Sequence, residues 1–394
     1  TRSYSVTGVQ TCALPISVRL LRIMLPTVVI FGMSGLVMGM LNAHRSFLIP
    51  ALAPAMYSLG IIFGTLALPK NWGVDRLAVG VLIGAGGHLL LQLPSLFRLP
   101  ERAYHAAVGL KDKAVRQVLK LMLPRLIGAG VVQLNFVANT IIALSLGEGA
   151  ASAVVLAFTL MMMPQRAIAQ SAGIASLPTL SAQAELGQYA QMRATIAKIL
   201  RGMILLALPA SAGLILLRVP LVRVLYERGE FSPESTRLVA WALLWYAAGL
   251  VGHSLVEVLS RAFYALHDTR TPVIIGVGAM SLNIALSFLL AAWFRSIGWM
   301  PHGGLALANS AATGLESLLL LVLLRRRLQG MEGRRILHGT AAALAASALM
   351  SLAVFGWLAL LPDDGGITAL LGGMGIGVLA DRKSTRLNSS HRIR

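Results

Sequence analysis

TPVIIGVGAMSLNIALSFLLAAWF, residues 271–294, runs for 24 positions without an Asp, Glu, Lys or Arg, and a basic residue closes it at each end, Arg270 and Arg295. A helix of that length rises about 36 Å at 1.5 Å per residue, enough to cross a hydrocarbon core of about 30 Å. Ten further apolar runs punctuate the chain, at 20–42, 51–69, 77–97, 121–146, 151–180, 199–219, 235–263, 303–325, 337–361 and 366–380. The last is shorter than the rest. Hydrophobic residues make up 56% of the chain and charged ones 12%, with a mean hydropathy of +0.75. Charge is therefore confined to short clusters between the runs. One apolar helix fits the interior of a soluble protein; eleven do not. The pattern predicts an all-α, polytopic helical membrane protein.

The basic excess, +19 in formal charge, then speaks to orientation rather than to nucleic acid. With the first run directed outside to inside, seventeen Lys and Arg fall on the inner side, including Arg98–Lys120 and Arg325–Arg335. Nine, including Lys70, Arg76 and Arg218–Arg237, fall on the outer side. Lys and Arg accumulate in cytoplasmic loops, so this orientation is favoured, and it places the protein as a multi-pass component of a plasma membrane.

The two ends are read apart from the rest. One codon choice for VTGVQTCALPI (6–16), taken as its reverse complement, translates residue for residue into DRKSTRLNSSH (381–391). Antisense copies at the two ends are expected to be translated sequencing adapter, so 1–17 and 381–394 are set aside. That removes Cys12, the one cysteine, and lowers the charge to +14, since six basic residues and Asp381 go with them. No disulfide, thiolate or cysteine metal site remains.

The longest polar connector, RLPERAYHAAVGLKDKAVRQVLK (98–120), carries Val115, Val118, Leu119 and Met122 at helical spacing among Lys113, Arg116, Gln117 and Lys120. It reads as an amphipathic cytoplasmic helix on an anionic leaflet or as a solvated linker. Either way it separates 18–97, three helices of one lobe, from 121–330, six helices of a second, with 331–380 as a closing pair. Arg22-Ile-Met-Leu-Pro26 recurs as Lys120-Leu-Met-Leu-Pro124, and LNAHRSFLIP (41–50) is echoed by FYALHDTRTP (263–272). Such echoes fit a transporter built from repeated bundles around a midplane site. Gly35-Leu-Val-Met-Gly39 and Gly80-Val-Leu-Ile-Gly84 are spacings that let helix backbones approach.

Polar groups inside apolar runs are costly and mark candidate sites. The run at 121–146 holds Arg125, Gln133, Asn135 and Asn139, the last two four apart and so on one face. The next holds Thr159, Gln165, Arg166 and Gln170 with Pro164 in its middle, where a proline removes a helical hydrogen bond. Thr159 and Arg166 lie two turns apart on one face. The two helices are expected to wall a wet cavity in which Arg166 receives an anion; the alternative is hydrogen bonding between helices. Glu257 and Glu316 are the intramembrane carboxylates, either carrying a coupling proton or paired with a neighbouring helix. His88 and His253 read as packed, hydrogen-bonded histidines, and no HxxxH or HExxH spacing supports a metal. Asp268, in His267-Asp-Thr-Arg270, reads as an ion pair that orders a cytoplasmic loop or gate. No Walker loop and no nucleophile–base pair is present, so neither a cofactor nor an enzyme activity is expected.

LLRIMLP (20–26), LNAHRSFLIPALAP (41–54), QLP (92–94), LPTLS (177–181), YERGEF (226–231) and AFYALHDTRTPV (262–273) together resemble the MurJ/MviN lipid II flippases of the multidrug/oligosaccharidyl-lipid/polysaccharide exporter superfamily. The resemblance covers most of 20–380. It implies a two-lobed bundle of fourteen helices in a bacterial inner membrane, with the first run here similar to the fourth, so three helices are expected to be missing upstream. It also implies alternating access, acting as a monomer, that carries a polyprenyl-pyrophosphate-linked saccharide-peptide from the inner to the outer leaflet, with the tail along a groove of the last two helices. Where the family commonly has an arginine five residues before the proline matching Pro164, this chain has Thr159, and Arg166 is expected to take that part. A flippase for another polyprenyl-linked saccharide, a drug/cation antiporter of the same superfamily and a non-transporting membrane scaffold are the competing readings. The fragment alone is not expected to transport.

Overall fold

The computed structural model describes residues 6–44, 46, 48–98, 113–360, 368 and 372–375, without the side chains of 6–15, 43, 114, 117–129 and 131. Among these residues there is no strand. The chain forms two compact units, Thr1–Leu110 and Lys111–Arg394.

The first unit contains α1 (Val6–Ala43), α2 (Leu48–Ala67), a short 3-10 turn at Lys70–Trp72, and α3 (Asp75–Phe97). An Arg19–Asp75 ion pair of 2.6 Å ties the start of α3 to α1. Helices α2 and α3 meet backbone to backbone. A Cβ built on Gly60 would stand 2.2 Å from Gly84 Cα, and one on Gly64 would stand 2.5 Å from Gly80 Cα. Gly80 and Gly84 thus pack against a second small-residue pair at the same spacing, Gly60-Ile-Ile-Phe-Gly64. Gly35 and Gly39, the other spacing noted in the sequence, have nothing within 4 Å. Between α1 and α3 lies a buried polar cluster. Ser34 Oγ is 2.6 Å from His88 Nδ1, and Gln92 Nε2 donates to Ser34 Oγ (2.7 Å) and to the His88 carbonyl (2.9 Å). His88 is a packed histidine, its ring edge-on to Phe31.

The second unit opens with α4 (Lys113–Leu144), in which the basic turns 113–120 run into the apolar part without a break. Next, α5 (Ala150–Gln165), a π-helical segment Arg166–Gln170 and α6 (Ser171–Glu185) form one 36-residue span. Pro164 has no N–H to give the Leu160 carbonyl, and the wide π turn begins two residues later, an adjustment that often marks functional sites. The unit continues with α7 (Tyr189–Leu216), the short α8 (Arg218–Tyr226), α9 (Pro233–Ala248), α10 (Leu250–Ala265), α11 (Arg270–Ser296), α12 (His302–Arg327) and α13 (Gly333–Ala359). The start of α9 is written locally: Ser232 accepts from the Ser235 N–H at 3.2 Å and Pro233 takes the first helical position, where its missing N–H costs nothing.

Among the described residues, eight helices are long and apolar enough to cross a membrane, or nine if α9 and α10, bent by 46°, count as one span. Of the last expected run, 366–380, only 368 and 372–375 are among the described residues. The bend has a clear cause. At Gly249 the backbone N–H turns to the Tyr246 carbonyl, which frees the carbonyl of Trp245; Ser310 Oγ of α12 donates to it at 2.7 Å. Ser211 of α7 donates to the Ala247 carbonyl at 2.6 Å. A Cβ at Gly249 would lie 2.4 Å from Ser310 Oγ. Apolar packing then continues on both sides of the bend, around Met161, Leu243 and Leu250 in one cluster and Leu200, Leu259 and Phe263 in the other.

Candidate functional site

Two cavities in the second unit bear on function. The first, of about 330 Å³, is walled by α4, α5 and α9–α12. Its polar lining comes from Asn135, Asn139 and Thr140 of α4, Tyr246 of α9, His253 of α10, Asn283 of α11, and Asn309, Thr313 and Glu316 of α12. From α5 it takes only apolar residues, among them Val154 and Phe158. The Phe158 ring meets Tyr246 edge-on at 5.3 Å and His253 at 6.1 Å.

Much of this polar lining is engaged. Asn139 Nδ2 donates to the Asn135 side-chain oxygen (3.1 Å) and to Asn283 Oδ1 (3.2 Å). Ser287 Oγ reaches both Asn139 Oδ1 (3.0 Å) and Asn283 Oδ1 (3.2 Å). This network joins α4 to α11, so Asn139 both bonds to a neighbouring helix and lines the cavity. His253 Nε2 lies 2.9 Å from Asn309 Oδ1. Glu316 differs: it makes no hydrogen bond or ion pair with any described residue.

The other residues singled out by sequence lie elsewhere. Thr159 and Arg166 are exposed and line neither cavity; Thr159 Oγ1 donates to its own helix, at Val155 O. Arg166 has no partner among the described residues. Gln133 is exposed beside the first cavity rather than in it, and the Arg125 side chain lies outside the described residues. Glu257 is not held by a neighbouring helix but by Arg261 one turn along α10, with Arg261 Nε and Nη2 both on Glu257 Oε1. Asp268 sits in the α10–α11 turn. Its Oδ1 accepts from the Thr271 N–H (3.0 Å), and its Oδ2 accepts from Thr271 Oγ1 (2.8 Å) and Arg327 Nη1 (3.2 Å). Burial pushes the Asp268 carboxyl up, but the Thr271 hydrogen bonds and the Arg327 charge outweigh it and hold the pKa below the ordinary carboxylate range. His267, beside it, takes a left-handed φ of 57°, and Arg270 begins α11 exposed to its surroundings. No group of three or more His, Cys, Asp or Glu with metal-site geometry occurs among the described residues.

Sequence reading passed over Asn283, Ser287, Asn309 and Thr313. The signal was present: Asn283 and Ser287 are four apart, and Asn309, Thr313 and Glu316 recur at four and seven, one face of a helix.

The second cavity is an apolar groove of about 390 Å³, lined by Leu160 and Pro164, Pro209 and Leu214 of α7, Leu221 of α8, and Met350 of α13.

Spanning helices around a polar interior, with an apolar groove beside it, define a multi-pass helical membrane protein. The same fold occurs in a solved structure titled "Lipid II flippase MurJ, inward closed conformation", with a TM-score of 0.78, 23% identity, and 95% of this chain and 75% of that one covered. An inward-facing multidrug resistance MATE family transporter of the MOP superfamily shares it at a TM-score of 0.68 and 15% identity, covering 80% of this chain and 72% of that one. The family model for lipid II flippase MurJ matches residues 3–372, and the chain belongs to that family. Relatives include the lipid II flippase MurJ of Burkholderia cenocepacia, 32% identical over 80% of this chain and 61% of its own length. The probable lipid II flippase MurJ of Rhizobium meliloti is 31% identical over 86% and 63%. The chain thus spans about three fifths of the length of these relatives. It is a multi-pass protein of the bacterial inner membrane.

Proposed function

We infer that this chain is the larger part of a flippase that carries lipid II, the lipid-linked peptidoglycan precursor, from the inner to the outer leaflet by alternating access, as a monomer and without a catalytic step. Family membership over residues 3–372 carries the reading. In this reading 18–97 belongs to an N-terminal lobe, 98–120 is a cytoplasmic linker, 121–330 is the C-terminal lobe and 331–380 is a closing helix pair.

The chemistry is a matter of charge. A pyrophosphate-linked headgroup cannot enter hydrocarbon unpaired, because an isolated buried charge costs far more than folding supplies. Arg166, exposed on a span and without a described partner, is the cation that meets the pyrophosphate, and Thr159 and Gln133, also exposed on their helices, are further polar groups for the headgroup. The polyprenyl tail stays in lipid, and the groove between α7 and α13 has the apolar lining such a tail needs. The test is Arg166→Ala in the full-length gene, assayed for rescue of a flippase-depleted strain. Loss or strong reduction of rescue is expected, and Arg166→Lys is expected to retain part of it. Full rescue by the alanine variant removes Arg166 from the site.

A further inference from the structure

Two carboxylates, Glu257 and Glu316, sit in the middle of spanning helices of the second unit rather than at their ends, and their surroundings are opposite. Glu257 is neutralised by Arg261 on its own helix. Glu316 faces the 330 Å³ cavity with no cation against it among the described residues. It stands on a row of α12, Asn309, Ala312, Thr313 and Glu316, all of which line that cavity. Across from it α11 presents Gly276, where an added Cβ would be 3.4 Å from Glu316 Oε1, so the carboxyl lies against bare backbone. The titratable groups that share the cavity are Tyr246 of α9 and His253 of α10; α5 and α11 contribute none. On α4 the described lining residues, Val132, Asn135, Phe136, Asn139, Thr140 and Ala143, are uncharged, and the Arg125 side chain lies outside the described residues.

The geometry points to this cavity as a proton-binding site, with Glu316 as the carboxylate that takes and releases the proton. An uncompensated carboxylate among apolar helices must find a cation or lose its charge, and no described residue supplies the cation. The polar lining supplies a route. At about 30 Å³ per water the cavity has room for on the order of ten molecules, and the His253–Asn309 pair lies two turns along α12 from Glu316. Binding is simple addition: H⁺ joins one Glu316 oxygen, and the neutral acid becomes a hydrogen-bond donor to the cavity. Nothing in this depends on which lipid the protein moves, so failure of the Arg166 test leaves it standing and the reverse is also true.

A hydrophobic carbodiimide, which adds to protonated carboxyl groups, tests it on the whole chain in lipid nanodiscs, with adducts located by peptide mass spectrometry. Glu316 is expected to be labelled and Glu257 spared. The labelling rate is expected to fall about tenfold per pH unit once the pH exceeds the titration midpoint, as the protonated fraction does. A second measurement needs no labelling: a titrating carboxylic C=O band in infrared difference spectra, present in the wild type and in E257Q but missing from E316Q. If E316Q does not fold, labelling of the wild-type chain decides alone. No adduct at Glu316 at any pH overturns the inference, as does a rate indifferent to pH. Protection by sodium at fixed pH, as complete as that from raising the pH, also overturns it, because the occupant is then a metal cation.

Discussion

Alanine at Gly60 and alanine at Gly35 are expected to act in opposite directions, although both glycines stand in the same four-residue spacing. A methyl group at residue 60 would lie 2.2 Å from Gly84 Cα and 2.8 Å from the Gly80 carbonyl oxygen. Carbon atoms rest about 3.5–4.0 Å apart, so α2 and α3 must separate by more than about 1 Å along their closest contact. Overpacking of this kind costs about 1–3 kcal/mol, while alanine in a helix interior is about 0.8–1.0 kcal/mol better than glycine. The balance for Gly60→Ala is a loss of up to about 2 kcal/mol. At Gly35 nothing lies within 4 Å, so only the propensity gain remains. Thermal unfolding of the two purified variants in one detergent reads the difference, with Tm lower than wild type for Gly60→Ala and equal or higher for Gly35→Ala. If Gly60→Ala matches or exceeds the wild-type Tm, or if Gly35→Ala falls as far, the close backbone approach of α2 and α3 is wrong.

Asp268→Asn is expected to cost about 1–2 kcal/mol through the charge-assisted hydrogen bonds to Thr271, and Arg327→Gln less than about 1, because Arg327 is half exposed. The sign in pH follows from the depressed pKa: the Asp268 contribution is complete above the ordinary carboxylate value of about 4 and fades as pH falls through the lower folded value. Thermal scans of wild type and Asp268→Asn should therefore converge only at the acid end. Asn283→Leu removes the side chain that Asn139 and Ser287 share and should cost about 0.6–2 kcal/mol, read as a lower Tm; an unchanged Tm would mean the network carries no stability.

The spans and their breakers could be read from the chain because apolar length and proline act locally. The 271–294 run appears as α11 within a residue or two, and Pro164 does disturb its helix. Its partners could not be read in the same way. Gly80 and Gly84 declare a close approach but not to whom, and only the packed unit names Gly60 and Gly64. Polar faces behaved alike: Asn135 and Asn139 pointed to a cavity, yet the rest of its polar lining came from α9–α12, while the proline-broken helix next in sequence gave it only apolar residues. Periodicity along one helix fixes a face, and which faces meet depends on six helices at once. The π segment adds a further limit, since a wheel drawn at 3.6 residues per turn through 150–185 loses its register at Arg166.

The 46° break between α9 and α10 is held from outside. Its loose carbonyls at Trp245 and Ala247 are fastened by Ser310 on α12 and Ser211 on α7, so the angle is set jointly by three helices rather than by Gly249 alone. Such a joint works as a gauge: any sliding of α7 or α12 must either drag the elbow with it or release a serine, and a released carbonyl in an apolar interior is a penalty felt at once. Motion in this unit is thereby restricted to steps in which both serines find a carbonyl again, which favours a few discrete postures over a continuum.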